Sequence, residues 1–197
     1  MDPRYGRMVS FSVLVLAAIA FVPDQVLTAG RMTEADKAAM AKREGGAWYD
    51  TPYNLVFPSP IVIDEPARNV PAKCQAWLGV WANGKWDGTR PTGLIVHSVS
   101  FVDGACLAEV TLSQGVSSAR DFDADGRNSP RLTTGLTATV IDDWLTIDRS
   151  FGGGAWTVSY SQMPGDKKLR GKAHSAKRNR TDSAILHRMD PPYTPSE

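Results

Sequence analysis

Asp121, Asp123 and Asp125 stand at alternate positions in Asp-Phe-Asp-Ala-Asp-Gly, a stretch that closes on Gly126. Carboxylates spaced this way before a sharp glycine turn present oxygens to a hard cation, as a calcium loop does. The twelfth position counted from Asp121 is Leu132, where a helix–loop–helix calcium site has a bidentate glutamate, and no helical pattern flanks the loop. A standard loop of that kind is excluded. Two readings stay open: a calcium-stabilised loop completed by water or carbonyls, with Asp142-Asp143 as further donors, and a solvated acidic connection.

A second group carries the opposite charge. Lys167, Lys168, Arg170, Lys172, Lys177, Arg178 and Arg180 crowd one stretch, with no acid between Asp166 and Asp182. In an extended chain Lys168, Arg170 and Lys172 share a face, and Leu169, Gly171 and Ala173 share the other. That is the pattern of a sheet with one solvated and one apolar side. It also fits a docking surface, of Lys168, Arg170, Lys172, Arg178 and Arg180, for an anionic partner such as a phospholipid surface, an acidic polysaccharide or an acidic protein. No aromatic residue interleaves the cations, which argues against nucleic acid.

Catalytic signatures are missing. The chain has no Gly-x-Ser-x-Gly elbow, His-Glu-x-x-His pair, phosphate-binding loop or dinucleotide fingerprint. His97, His174 and His187 stand singly, and a lone strand histidine more often serves packing than chemistry. An enzyme using His97 or His187 with loop aspartates is the weakest reading. No enzyme activity and no cofactor other than calcium are expected. The only cysteines, Cys74 and Cys106, are an even count 32 residues apart, which favours a disulfide in an oxidising compartment. Two buried free thiols, or half of a metal site, are the alternatives.

The elements that must position these groups follow from the order of the chain. Arg4 and Arg7 precede an uncharged apolar run from Met8 to Val22, long enough for the core of a signal peptide and short for a membrane span. Cleavage after Ala20 or Ala29 would release an exported chain, periplasmic or secreted, with no stable span; an uncleaved anchor is the competing reading. With 1–29 as signal, residues 30–72 read as an arm. Met32 to Arg43 forms a short helix, with Thr33 as its cap and Gly45-Gly46 as its stop. Pro52, Pro58, Pro60, Pro66 and Pro71 then exclude a central strand and leave only extended segments of low structural content.

From residue 73 to 189 short alternating apolar runs recur between Gly, Asp, Asn and Pro. They predict strands at about 75–82, 92–101, 104–113, 133–141, 143–149, 154–161, 167–174 and 181–188. Connections this short make neighbours antiparallel, and no helical crossover is present to make them parallel. The fold class is all-β: an eight-stranded antiparallel up-and-down barrel, with a β-sandwich as the alternative. Residues 190–197 read as a disordered tail. The net charge of +1 supplies no global field towards nucleic acid or membrane.

The first strand carries Trp77, Gly79 and Trp81 on one parity, followed by Gly84-Lys85-Trp86-Asp87-Gly88. This Gly-x-Trp opening, with the late run Tyr160, Leu169-Arg170-Gly171 and Ile185-Leu186-His187-Arg188, resembles the small exported calycin-like domains, the lipocalin and avidin group. The resemblance covers about 74–189. It implies a barrel that holds a small apolar ligand, and an Arg188 side chain packed across the first-strand tryptophan. Trp77, Trp81, Trp144, Trp156 and Tyr160 are then the candidate interior aromatics, with core filling the stronger reading for Trp77 and Trp81. The expected function is ligand binding without catalysis. Its rival is a structural or protein-interaction module that docks an anionic partner through the basic hairpin.

Overall fold

A computed structural model describes residues 34–49, 55–115, 130–147, 156–165 and 167–193. The residues ahead of the sheet carry helix α1 (Glu34–Arg43), a hairpin of β1 (Gly46–Tyr49) and β2 (Leu55–Pro58), and one turn of helix, α2 (Ala72–Gln75). The strands β3 (Gly79–Trp86), β4 (Arg90–Val102), β5 (Ala105–Gln114), β6 (Arg131–Ile141), β7 (Trp144–Ile147), β8 (Trp156–Gln162), β9 (Lys168–Ser175) and β10 (Arg180–Arg188) follow. Each pairs antiparallel with the next, and β10 pairs back onto β3. The sheet is therefore a closed up-and-down barrel of eight strands, and the sandwich is excluded.

Two departures from the sequence expectation matter for the site. The first concerns β3, expected over 75–82 and found over Gly79–Trp86. Asn83-Gly84 is not a terminating turn. Asn83 takes φ 64°, and the register with β4 shifts between Trp81 and Gly84. This bulge inserts one residue and restores the inward parity, so that Trp81 and Trp86 both join the interior. The second concerns the arm. Its hairpin lies on the outer wall of the barrel, where Tyr49, Leu55 and Phe57 pack with Val80, Ala82 and Ile95. Alternation fails along Gly93-Leu94-Ile95-Val96 for that reason: both faces of this strand are covered, and all four residues are buried.

Polar groups fasten the arm in place. The Ser113 hydroxyl donates to the Val56 carbonyl at 2.6 Å, and the Trp48 indole to the Lys37 carbonyl at 2.6 Å. His97 lies between the Val62 carbonyl and the Thr111 hydroxyl, each 2.8 Å away. A carbonyl only accepts, so Nδ1 carries the proton towards Val62, which fixes the neutral tautomer with Nε2 on Thr111. The Asp64 amide adds a bond to the His97 carbonyl at 2.8 Å. His97 is thus an anchor for the arm.

One end of the barrel is filled. Trp81, Leu94, Val96, Leu136, Leu145 and Leu186 are among its buried side chains, and Trp77 and α2 stand over them. A disulfide joins Cys74 of α2 to Cys106 of β5, with Cα atoms 5.6 Å apart. Arg188 closes the corner. Its guanidinium lies 5.1 Å from the centroid of the Trp81 ring, and Nη2 donates to the Leu78 carbonyl at 2.8 Å. Gly79 suits the corner by its backbone: its φ is 121°, which a side chain rarely adopts, while a Cβ there would only touch that guanidinium, at 3.5 Å.

Arg188→Ala removes the ring contact and the carbonyl bond together. The expected loss is about 1–2 kcal/mol of unfolding free energy in a urea titration. Arg188→Lys should recover only part of it, because an ammonium lacks the planar fork.

Candidate functional site

The other end of the barrel is open, and its inward positions are of a different kind. Thr92, Thr133, Ala173 and Asp182 stand where the filled end has Leu, Val and Ile. Smaller side chains leave a cup of about 410 Å³. Its floor and walls are Trp86, Tyr160, Val158, Leu112 and Ala173, with Trp156 on one side. Arg90, Arg131 and Gln114 also line it, from the ends of their strands. The cup falls within the usual size range of small-molecule sites; its lining is half apolar or aromatic and half polar, the polar part being Arg90, Thr92, Gln114, Arg131, Thr133 and Asp182.

Gly171 shapes the floor. A Cβ at this position would stand 2.8 Å from the Trp86 ring and 2.9 Å from the Tyr160 ring. Its absence lets the two rings meet at 6.2 Å between centroids, tilted by 42°. Tyr160 is fully buried, and its hydroxyl has no hydrogen-bond partner among the described residues. The neighbouring Thr92 hydroxyl donates to the Ser113 carbonyl at 3.3 Å, and its oxygen beside Tyr160 partly offsets the effect of burial on the phenol. Burial is the main cause of a Tyr160 pKa well above the ordinary 10.0, so the phenol keeps its proton.

Charge is organised at the mouth. Asp182 is 1% exposed, and its carboxylate takes Arg90 at 3.0 Å on one oxygen and Arg180 on the other. Arg180 also reaches Asp87 at 2.9 Å. Asp87 accepts from the Ser183 amide at 3.0 Å, while its own amide donates to the Ser183 carbonyl at 2.9 Å. The Ser183 amide foremost, and Arg180 next, hold the Asp87 carboxyl below the ordinary 3.8. Arg131 makes no ion pair among the described residues.

The candidates named from sequence separate into distinct places. Trp156 and Tyr160 line the cup. Trp77 and Trp81 are buried at the filled end, where the Trp81 indole donates to the Trp77 carbonyl at 3.0 Å. Trp144 faces outwards beneath Lys172, whose ammonium lies 4.8 Å from the ring centroid. Lys168, Arg170 and Lys172 alternate with buried Leu169, Gly171 and Ala173 along β9. Arg178 is exposed in the turn after that strand, whereas Arg180 is engaged with Asp87 and Asp182. Asp121, Asp123 and Asp125 lie outside the described residues. Asp142 and Asp143 form the β6–β7 turn, so the full length of β6 separates them from Arg131 at the cup.

Sequence reasoning missed Trp86, Arg90, Thr92, Arg131 and Asp182. Only the parity change at Asn83-Gly84 would have pointed Trp86 inwards, and a bulge there reads like a turn. Asp182 was legible in principle, since it shares its parity with Ala184 and Leu186 on β10.

Two outcomes are expected. Tyr160→Phe removes a buried hydroxyl that has no partner, so unfolding free energy should rise, by up to about 1 kcal/mol in a denaturant titration. Asp87 contributes stability that is present above the ordinary carboxylate pKa and lost as pH falls through its depressed value. The advantage of the native chain over Asp87→Asn should therefore be full above the ordinary carboxylate pKa and shrink as pH falls below it, followed by chemical unfolding at each pH.

No protein-family model matches the chain, and no curated protein is significantly similar to it in sequence.

Proposed function

We propose that the protein is an exported, non-enzymatic barrel that binds a small, largely apolar ligand in the open cup. The observation that carries this reading is the cup of about 410 Å³ with an aromatic floor, set inside a closed barrel. A barrel built only for structure gains from filling this space, because each missing contact costs dispersion and burial energy. Binding rather than turnover is supported by the lining, which among the described residues holds no histidine or cysteine and has one carboxylate, already shared by two arginines. Export is supported by the Cys74–Cys106 disulfide, and among the described residues no helix is long and apolar enough to cross a membrane.

Docking of an anionic partner on β9 is the second reading. Lys168 and Arg170 support it, since they face outwards opposite His187 and Ile185 of β10 with no acid across from them. Arg180 does not contribute to that surface while it is held by Asp87 and Asp182.

A neutral, solvatochromic naphthalene dye such as Prodan tests the cup. Saturable fluorescence enhancement is expected with the native chain. Ala173→Phe, which fills the cup from β9, should abolish it while circular dichroism stays unchanged. No saturable change up to about 1 mM dye, where a contact is barely specific, would overturn the reading.

A further inference from the structure

Three polar features of the cup are left over once its apolar walls are explained. The first is the Tyr160 hydroxyl, fully buried in the floor, beside Thr92 but with no hydrogen-bond partner at bonding distance among the described residues. Retaining such a group lowers stability, because a buried donor without an acceptor forfeits its hydration. A phenylalanine would fill the same space. The second is charge. Among the described residues the lining carries Arg90 and Arg131 against the single carboxylate of Asp182, and Arg131 has no ion-pair partner there. The third is the placement of that carboxylate: Asp182 pairs with Arg90 on one oxygen and Arg180 on the other, and makes no ion pair with Arg131.

We infer that the ligand of the cup is a small aromatic monoanion, its negative group held at the mouth by Arg131 and the spare N–H groups of Arg90, and a hydrogen-bonding oxygen at its far end held by the Tyr160 hydroxyl. The inference rests on the cup reading above and adds the ligand's chemistry to it. The body is aromatic because Trp86, Trp156 and Tyr160 offer ring faces and edges on several sides. The negative group is at the mouth because Arg131 begins β6 and Arg90 begins β4. A guanidinium offers five donors, and among the described residues Arg90 uses one of them, on Asp182, which leaves others to meet an incoming oxyanion. The Asp87–Arg180–Asp182–Arg90 chain keeps Arg90 at the rim without consuming its charge-assisted capacity.

Three naphthalene probes separate the parts by isothermal titration calorimetry: 6-hydroxy-2-naphthoate, 2-naphthoate and the neutral 2-naphthol. The hydroxy acid should bind tightest. Arg131→Gln should weaken both acids about tenfold and leave 2-naphthol unchanged. Tyr160→Phe should weaken the two hydroxylated probes about fivefold and leave 2-naphthoate unchanged. Raising the salt concentration on the native chain should weaken the acids alone, a readout that needs no variant to fold. If 2-naphthol binds as tightly as the acids, and neither salt nor Arg131→Gln alters any probe, the anionic ligand is overturned while the cup survives as a binding site. If none of the three binds, the cup reading falls with it.

Discussion

A barrel escapes the hazards of exposed sheet edges only where its first and last strands meet. In this protein that junction is short. The ladder between β10 and β3 has two residue pairs, His187 with Ala82 and Arg188 with Trp81. The bulge at Asn83 then carries β3 out of register, and regular pairing stops. Isolated backbone bonds, from the Asp87 amide to Ser183 and from the Met189 amide to Val80, flank the ladder, and side chains add to them. At the filled end Arg188 spans from β10 to the Leu78 carbonyl and the Trp81 ring. At the open end the Asp87 carboxylate accepts from the Ser183 amide, the part a strand carbonyl would otherwise play.

The seam and the cup are therefore one piece of construction. Asp182 belongs to both: it is a wall of the cup, and it binds Arg180, which is in turn tied to Asp87 at the β3–β4 turn. The bulge that shortens the ladder is also what turns Trp86 inwards to form the floor with Tyr160. Had β3 continued without it, Trp86 would point towards the side where the arm packs, and the floor would lose one of its rings. Closure at this edge and concavity inside come from the same inserted residue.

Most of the architecture was legible in the sequence because it rests on patterns with a period of two. Short alternating runs between turn residues give strands, and short connections make them antiparallel. The Cys74–Cys106 bond and the Arg188–Trp81 contact were legible too, the first from the even cysteine count and the second from a family likeness. Prolines concealed the hairpin of the arm. Pro58 is tolerated at the end of β2, in a two-stranded sheet where one side of each strand needs no ladder partner. The cup was only half legible. Its aromatic members stand out by size, but Thr92, Arg90 and Asp182 become a site only when strands far apart in the chain are closed into a ring.

The arm also makes the barrel wall uneven. Where Tyr49, Leu55 and Phe57 lie on it, the sheet of β3 and β4 is packed on both faces. On the far side β7 is four residues long, and its outward Trp144 is half-buried beneath Lys172. Local opening costs least where few apolar contacts must break. Breathing motions should therefore concentrate at β7 and β8, and their amides should exchange hydrogen with solvent before those of β3 and β4. The molecule has a stiff back and a yielding front, and Trp156 and Tyr160 sit on the yielding side.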